Sequence, residues 1–315
     1  MVLNFALVGA GGYVAPRHLR AIRDTGNRLV AACDPHDAVG VLDAYAFDAK
    51  FFTEIERFDR LLEKLKRGPA EGRVHWVSIC TPNYLHDAHI RLALRVGADA
   101  ICEKPLVINP WNLDQLQAIE EETGRHVKTV LQLRVHQSVV ALRERLLAEE
   151  ARRHHVQLTY VTGRGAWFQQ SWKGNEDRSG GIATNIGIHF FDLLLWLFGR
   201  VQTHAVHARG PLRMSGCLEM ERADVSWFLS VDVRDLPFKA EAGRSSTYRS
   251  ITVDGEEVEF SDGFADLHTR IYERTLAGEG FGIDDARASI ELAYALTTAP
   301  ITPPGDLAHP LLRVS

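Results

Sequence analysis

The stretch GGIATNIGIHFFDLLLWLFG, residues 180–199, sets Asn185, His189 and Asp192 inside an otherwise apolar run. At roughly 100° per residue, positions 185, 189, 192 and 196 share one narrow stripe of a helix, while leucine, isoleucine and phenylalanine cover the rest. The stripe is therefore expected to look inward, where an amide, an imidazole and a carboxylate need partners: a hydrogen-bond network or a ligand cavity. An imidazole titrates near neutrality, so His189 is the natural base for a hydroxyl proton. Asp192 is expected to be structural, bonded to backbone or to the surroundings of the helix. No metal is expected, because the three residues lack a convincing further ligand elsewhere in the sequence. The segment ICEKPL adds Glu103, Lys104 and Pro105 directly after an apolar run. A cationic Lys104 would lower an alcohol's pKa and stabilise the alkoxide. A lysine of depressed pKa could instead be the base, and the residues leave both assignments open.

A third constellation opens the chain. FALVGAGGYVAPRH puts Gly9, Gly11 and Gly12, followed by Tyr13 and Val14, between a strand-like run and a helix-like one. Such a turn lets backbone approach a pyrophosphate, and the N–H groups and dipole of the following helix favour that anion. The spacing departs from GxGxxG, since Val14 stands where the third glycine would fall. Asp34 ends the next apolar run about twenty-five residues on, where an acid takes ribose hydroxyls. No Arg or Lys occupies 35–38 to receive a 2′-phosphate, which favours NAD over NADP. SICTPNYLH supplies Thr81, Pro82, Asn83 and His86 at the end of a further predicted strand, the edge where open α/β sheets bind ligands.

Just before the His189 segment, GRGAWFQQSWKGNEDRSGG gathers Arg164, Trp167, Phe168, Trp172, Lys173 and Arg178, and Arg134 ends the sixth predicted strand. Cations and aromatic faces together suit an anionic, base-bearing ligand.

These residues need elements to hold them. Short β-branched runs alternate with amphipathic segments near 15–25, 54–66, 85–96, 110–123 and 136–150, the rhythm of a doubly wound parallel sheet. Beyond about residue 152 the strands lengthen and alternate, with a hairpin signal at Asp254-Gly255 and helices near 264–277 and 284–298. The expected α/β architecture is a dinucleotide-binding domain over 1–130 and, over 131–315, an α+β domain with a large, open, mostly antiparallel sheet for substrate binding and oligomerisation.

With 315 residues, 45% hydrophobic and 24% charged, the chain can bury a substantial core. A net charge of −5 gives no footprint for nucleic acid. No stretch is expected to reach the length of a membrane span and no signal peptide is recognisable, so a cytoplasmic location is the default. Cys33, Cys80, Cys102 and Cys217 form no CxxC pair and read as packing residues.

The order glycine turn, TPNYLH, EKP and TNIGIHFFD resembles the glucose–fructose oxidoreductase and inositol dehydrogenase family (Gfo/Idh/MocA) over nearly the whole chain. That resemblance implies a Rossmann domain, NAD as cofactor, and Lys104 and His189 beside the nicotinamide and the reacting alcohol carbon. It also implies that Thr81, Asn83, His86 and Glu103 line the cofactor cleft. Thr184 and Asn185, with the cations and tryptophans above, are implied to meet substrate. Many relatives carry an aspartate where this chain has Asn185, so here that position is an uncharged orienter. The similarity is strongest to members that oxidise C3 of a UDP-linked acetamido uronic acid, on the way to bacterial surface polysaccharide. Some of those reoxidise NADH with 2-oxoglutarate, and a homotetramer is implied. A dehydrogenase of another sugar or cyclitol, an NAD-assisted glycosidase and a non-catalytic NAD-binding regulator are the alternatives; a regulator needs neither Lys104 nor His189.

Overall fold

The computed structural model describes residues 2–150, 152–239, 246–258 and 265–313. The chain divides into two compact units, one of residues 1–132 and 265–287, the other of 133–264 and 288–315.

In the first unit, strands β1 (Asn4–Val8), β2 (Arg28–Cys33), β3 (Lys50–Phe52), β4 (Trp76–Ile79), β5 (Asp99–Cys102) and β6 (Val127–Thr129) form one sheet in the order β3-β2-β1-β4-β5-β6. Every pairing is parallel. All residues of β1 and β4 are buried, as expected for central strands covered on both faces. Helices α1 (Ala15–Asp24), α2 (Val39–Asp43), α3 (Ile55–Arg67), α4 (His86–Arg95) and α5 (Trp111–Thr123) connect them. Only the short α2 lacks a counterpart in the sequence pattern.

The second unit contains α6 (Gln137–Ala148), β7 (His154–Thr162), two single-turn helices, α7 (Trp167–Gln170) and α8 (Glu176–Ser179), and α9 (Ile188–Phe198). Strands β8 (Val201–Arg209), β9 (Arg213–Met220), β10 (Ala223–Ser230), β11 (Thr247–Val253) and β12 (Glu256–Glu257) complete a sheet ordered β12-β11-β7-β10-β9-β8. Among the described strands of this sheet, only β7 and β10 pair in parallel. The β11–β12 hairpin turns at Asp254 and Gly255, both with positive φ (53° and 86°), as a two-residue primed turn requires. The remainder of that expected strand, Glu259 and Phe260, lies outside the described residues.

The expected boundary at 130/131 needs correction in one respect. Helix α10 (Leu267–Leu276) groups with the first unit, although it follows the second sheet in sequence. The reason is polar: His268 and Tyr272 make buried hydrogen bonds to Glu103, His18 and Ser78. The C-terminal α11 (Ile283–Thr298) and α12 (Pro310–Arg313) follow.

A second expectation is also corrected. Among the described residues, Glu176–Phe198 is long and apolar enough to cross a membrane by length and composition. Yet 78% of its most apolar window is buried, so these side chains make the core of the second unit. Phe191 meets Trp227 of β10 edge-on at 5.4 Å, and Phe190 lies 4.7 Å from Tyr160 of β7. Gly187 explains the small residue before this face. A Cβ there would stand 2.7 Å from Leu229 Cδ1 and 2.8 Å from Phe191 Cε2. All four cysteines are free, three of them buried.

Candidate active site

The glycine turn is built for close approach. Gly9 has φ +90°, and a Cβ on it would lie 2.7 Å from the Cys80 carbonyl carbon and the Thr81 nitrogen at the end of β4. Gly12 N–H closes the turn on the Gly9 carbonyl at 3.0 Å. The first turn of α1 follows Val14 with no side-chain cap and no acidic residue. Ala15 and Arg17 N–H bond back to the Gly12 and Val14 carbonyls and Pro16 has no N–H, so what this helix start offers an anion is its positive dipole end. Arg17 lies over the Tyr13 ring at 5.6 Å, and Tyr13 itself is 82% exposed. Asp34 is buried at the end of β2, where one oxygen accepts from Gly11 N–H (2.8 Å) and the other from His36 N–H (2.9 Å). Each oxygen keeps a further lone pair for a hydroxyl. These residues fit a dinucleotide: glycines where backbone must approach, an uncapped helix start for the diphosphate and an oriented carboxylate.

Two expected cleft residues turn their polar atoms into the protein instead. His86, fully buried, directs Nδ1 at the Pro105 carbonyl (2.6 Å) and Nε2 at the Thr81 carbonyl (2.8 Å). Glu103 Oε1 accepts from His18 Nε2 (2.9 Å) and His268 Nε2 (2.8 Å). His18 Nδ1 faces the Tyr272 hydroxyl at 2.7 Å, and that oxygen lies 2.6 Å from Ser78 Oγ. One proton assignment satisfies the chain: Ser78 donates to Tyr272, Tyr272 to His18, and both imidazole Nε2–H groups to an anionic Glu103. Burial alone would raise the Glu103 carboxyl, but the two histidine hydrogen bonds hold it well below the usual carboxylate range. Burial pushes His18 downward against the pull of Glu103. Ligand-type atoms of His18, Glu103 and His268 lie within 4.8 Å of one another, a spacing a metal ion could use. Hydrogen bonding accounts for the same geometry.

Sequence reasoning missed His18, His268, Tyr272 and Ser78, which come from three separate elements; His268 and Tyr272, four apart on α10, share a helix face, but nothing local joins them to His18, Ser78 or Glu103. His89 was also missed: its Nδ1 sits 3.0 Å from Thr81 Oγ1, and burial lowers its pKa to about 4. Asn83 is buried at the start of the short helix Asn83–Leu85, after Pro82. Lys104, half-buried, precedes a cis peptide at Pro105.

In the second unit, residues 183–187 form a single π-type turn ahead of α9. The wider turn breaks the ideal stripe drawn from a regular helix. Asn185 and His189 are half-buried, Thr184 and Asp192 are buried, and only Asp192 meets the inward expectation fully. Arg134, expected to meet substrate, gives Asp192 a bidentate pair, so Asp192 bonds to the surroundings of its helix as expected.

Trp167 is 50% exposed and Trp172 half-buried, whereas Phe168 is core. Lys173 Nζ lies 5.3 Å from the Trp167 ring centre and 5.6 Å from that of Trp172. Burial, then the nearby Arg164 charge, lowers its pKa. Lys173, Glu176, Ser179 and Asn185, with Phe168 and Ile186 as apolar walls, line a small cleft. Arg164 and Arg178 are exposed. Within this unit the structure thus brings Lys173 and Asn185 to one cleft, and it pairs Arg134 with Asp192.

Residues 3–130 match the profile described as oxidoreductase family, NAD-binding Rossmann fold, and residues 151–228 match that family's C-terminal alpha/beta domain. The WlbA (WbpB) dehydrogenase of Thermus thermophilus, solved with NAD and alpha-ketoglutarate and with NAD and UDP-GlcNAcA, is 53% identical at a TM-score of 0.93. The match covers 98% of this chain and 99% of that one. The WlbA dehydrogenase of Bordetella pertussis is 20% identical at a TM-score of 0.74, covering 97% and 98% of the two chains, and shows the shared fold. Inositol 2-dehydrogenase of Rhizobium meliloti is 26% identical over 63% of this chain and 56% of its own length. Alignments with the curated relatives span between 34% and 56% of those proteins. A glycine turn on a parallel sheet, EKP after β5 and the GIHFFD helix on a mixed sheet therefore agree with the profiles: the chain belongs to the Gfo/Idh/MocA oxidoreductase family.

Proposed function

We propose that the chain is an NAD-dependent dehydrogenase that oxidises the C3 hydroxyl of UDP-N-acetyl-D-glucosaminuronic acid to the 3-keto sugar nucleotide. The observation that carries this reading is the 53% identity, along nearly the entire chain, to a dehydrogenase solved with NAD and that sugar acid. The cleft beside Asn185 supports it, because Lys173 in its wall offers a cation to a nucleotide-sugar anion, with the Trp167 and Trp172 rings beside that lysine.

Bound at the glycine turn, NAD supplies the carbon that accepts hydride from C3. His189 removes the hydroxyl proton as C3 becomes a carbonyl, and Asn185 orients that hydroxyl by hydrogen bonding. Lys104, as an ammonium, stabilises the developing alkoxide. Lys173 pairs with an anionic group of the substrate. Glycines 9, 11 and 12, Tyr13 and Val14 frame the diphosphate, Asp34 takes ribose hydroxyls, and Thr81, Pro82 and Asn83 flank the nicotinamide end. In the same proposal 2-oxoglutarate closes the cycle and leaves as 2-hydroxyglutarate. The enzyme works in the cytoplasm as a homotetramer, and its product feeds diacetamido uronic acids of surface polysaccharide.

The test is a substrate panel with purified protein, read as absorbance near 340 nm and as mass of the keto product. Oxidation of the UDP-uronate and not of free sugars or inositol is expected. Turnover of free sugars without turnover of the UDP-uronate rejects the assignment.

A further inference from the structure

We infer that the loop bearing Lys104 is gripped by a clamp of three histidines. His18 and His268 hold the Glu103 carboxylate and His86 holds the Pro105 carbonyl, so the residues on both sides of Lys104 are fixed. The inference rests on the proposed role of Lys104 and deepens it, making Glu103, His18, His86 and His268 positioning residues.

The arrangement is more than packing requires. A buried carboxylate costs several kcal/mol unless fully partnered, and an apolar residue would fill the volume at less cost. Here the partners are brought from far apart in sequence. His18 lies on α1, the helix that starts at the glycine turn, and His268 lies on α10, which returns to this unit after the second sheet. The Tyr272 and Ser78 hydroxyls fix the tautomer of His18 so that Nε2–H points at Glu103.

His86 comes from the TPNYLH segment and bridges two carbonyls, Thr81 of that segment and Pro105 of the lysine loop. Neutral imidazole has one N–H for two acceptors, whereas imidazolium would hold both. Burial sets the direction downward for His86; the two carbonyls and Glu103 favour the charge, and Lys104 opposes it. His89 stands beside it as a further ring that burial keeps neutral. The neutral ring therefore has one donor, and the shorter contact, Nδ1 to the Pro105 carbonyl at 2.6 Å against 2.8 Å at Thr81, is the one the clamp uses. Segments that carry the proposed cofactor contacts thus converge on one tripeptide.

The experiment uses the full-length protein and compares wild type with Glu103→Gln and His86→Gln. Lys104 is labelled competitively with trace acetic anhydride across a pH series, with exposed Lys50 as internal reference, and followed by peptide mass spectrometry. Removing the neighbouring anion disfavours the ammonium and loosening the loop exposes it, so Glu103→Gln raises Lys104 labelling relative to Lys50 about tenfold near neutral pH. His86→Gln raises labelling by a smaller factor without moving its pH midpoint. In both variants kcat falls, by about 10²-fold in Glu103→Gln, while the Kd for NAD, from tryptophan fluorescence, changes less than about threefold. Unchanged Lys104 labelling and kcat in variants that melt cooperatively overturn the clamp. So does a rise shared equally by every lysine, which reports general loosening. If Glu103→Gln does not fold, His86→Gln carries the test with the same readouts. A wild type that never oxidises the UDP-uronate, yet whose Lys104 labelling responds to both variants, sinks the substrate assignment and supports the clamp.

Discussion

Arg134 closes on Asp192 with two parallel hydrogen bonds, Nη2 to Oδ1 at 2.7 Å and Nε to Oδ2 at 3.0 Å, while their side chains are only 10% and 3% exposed. A buried ion pair broken on one side leaves an uncompensated charge, at a cost of about 3–5 kcal/mol. Asp192→Asn and Arg134→Met are each expected to lower the unfolding free energy by an amount of that size, and the urea midpoint with it. Equilibrium unfolding followed by tryptophan fluorescence checks this. An Arg134→Met protein with an unchanged midpoint and a raised KM would mean that the arginine serves substrate rather than the fold.

The glycine turn gives a sharper contrast. Gly9→Ala places a Cβ against the β4 backbone in a conformation that alanine rarely adopts. It is expected to abolish NAD binding and to lower thermal stability. Asp34→Ala removes the acceptor that orients Gly11 N–H and is expected to weaken NAD at least about tenfold, the worth of a lost charge-assisted hydrogen bond. Calorimetric titration with NAD and NADP checks both, with NAD the tighter ligand in the wild type.

The parts of this architecture that could be read beforehand are those with a period. Apolar runs such as FALVG and LVAAC, each followed by an amphipathic stretch, foretold β1, α1 and β2, and Asp254-Gly255 foretold its hairpin because two successive positive φ angles leave few residue choices. The chemistry-bearing residues were legible by type, and Trp167, Trp172 and Lys173 do group around one another. Pairings across the fold were not legible. Nothing local to Asp192 names Arg134 as its partner, and nothing near EKP names His18 or His268, because tertiary geometry alone joins residues 58, 85 and 165 positions apart. The π-type turn at 183–187 also escaped, since a hydrophobic period averages over one widened turn.

Lys173 supplies a pH signature. Burial and Arg164 lower its pKa, so its cationic form is lost at a less alkaline pH than an exposed lysine's. The KM for the UDP-uronate is therefore expected to rise on the alkaline side in the wild type. Lys173→Met is expected to have a KM raised about tenfold or more and flat over that range, with the Kd for NAD unchanged. Initial-rate kinetics across pH 7–10 check it.

His309 supplies the acid counterpart for the second unit. Its ring stacks on Phe228 at 5.5 Å, Nε2 faces Thr159 Oγ1 at 2.9 Å, and burial lowers its pKa from 6.5 to about 4. A base whose folded pKa lies below its unfolded one binds more protons when unfolded, so stability rises with pH through that interval. Stability is expected to fall as pH drops from about 6.5 to about 4, by at most about 3 kcal/mol from this group. His309→Gln is expected to flatten that part of the profile. Denaturation midpoints at pH 4, 5, 6 and 7 check the sign.

The central claim is that His189 and Lys104 act on one sugar hydroxyl with NAD as oxidant. Its most direct test is the initial rate of 3-keto product formation, read by mass with 2-oxoglutarate present, from UDP-N-acetyl-D-glucosaminuronic acid for wild type, Lys104→Ala and His189→Ala, alongside the Kd for NAD. The account predicts kcat lower by about 10²–10⁴-fold in each variant with NAD affinity nearly unchanged. Wild-type turnover of that substrate surviving in both variants would contradict it.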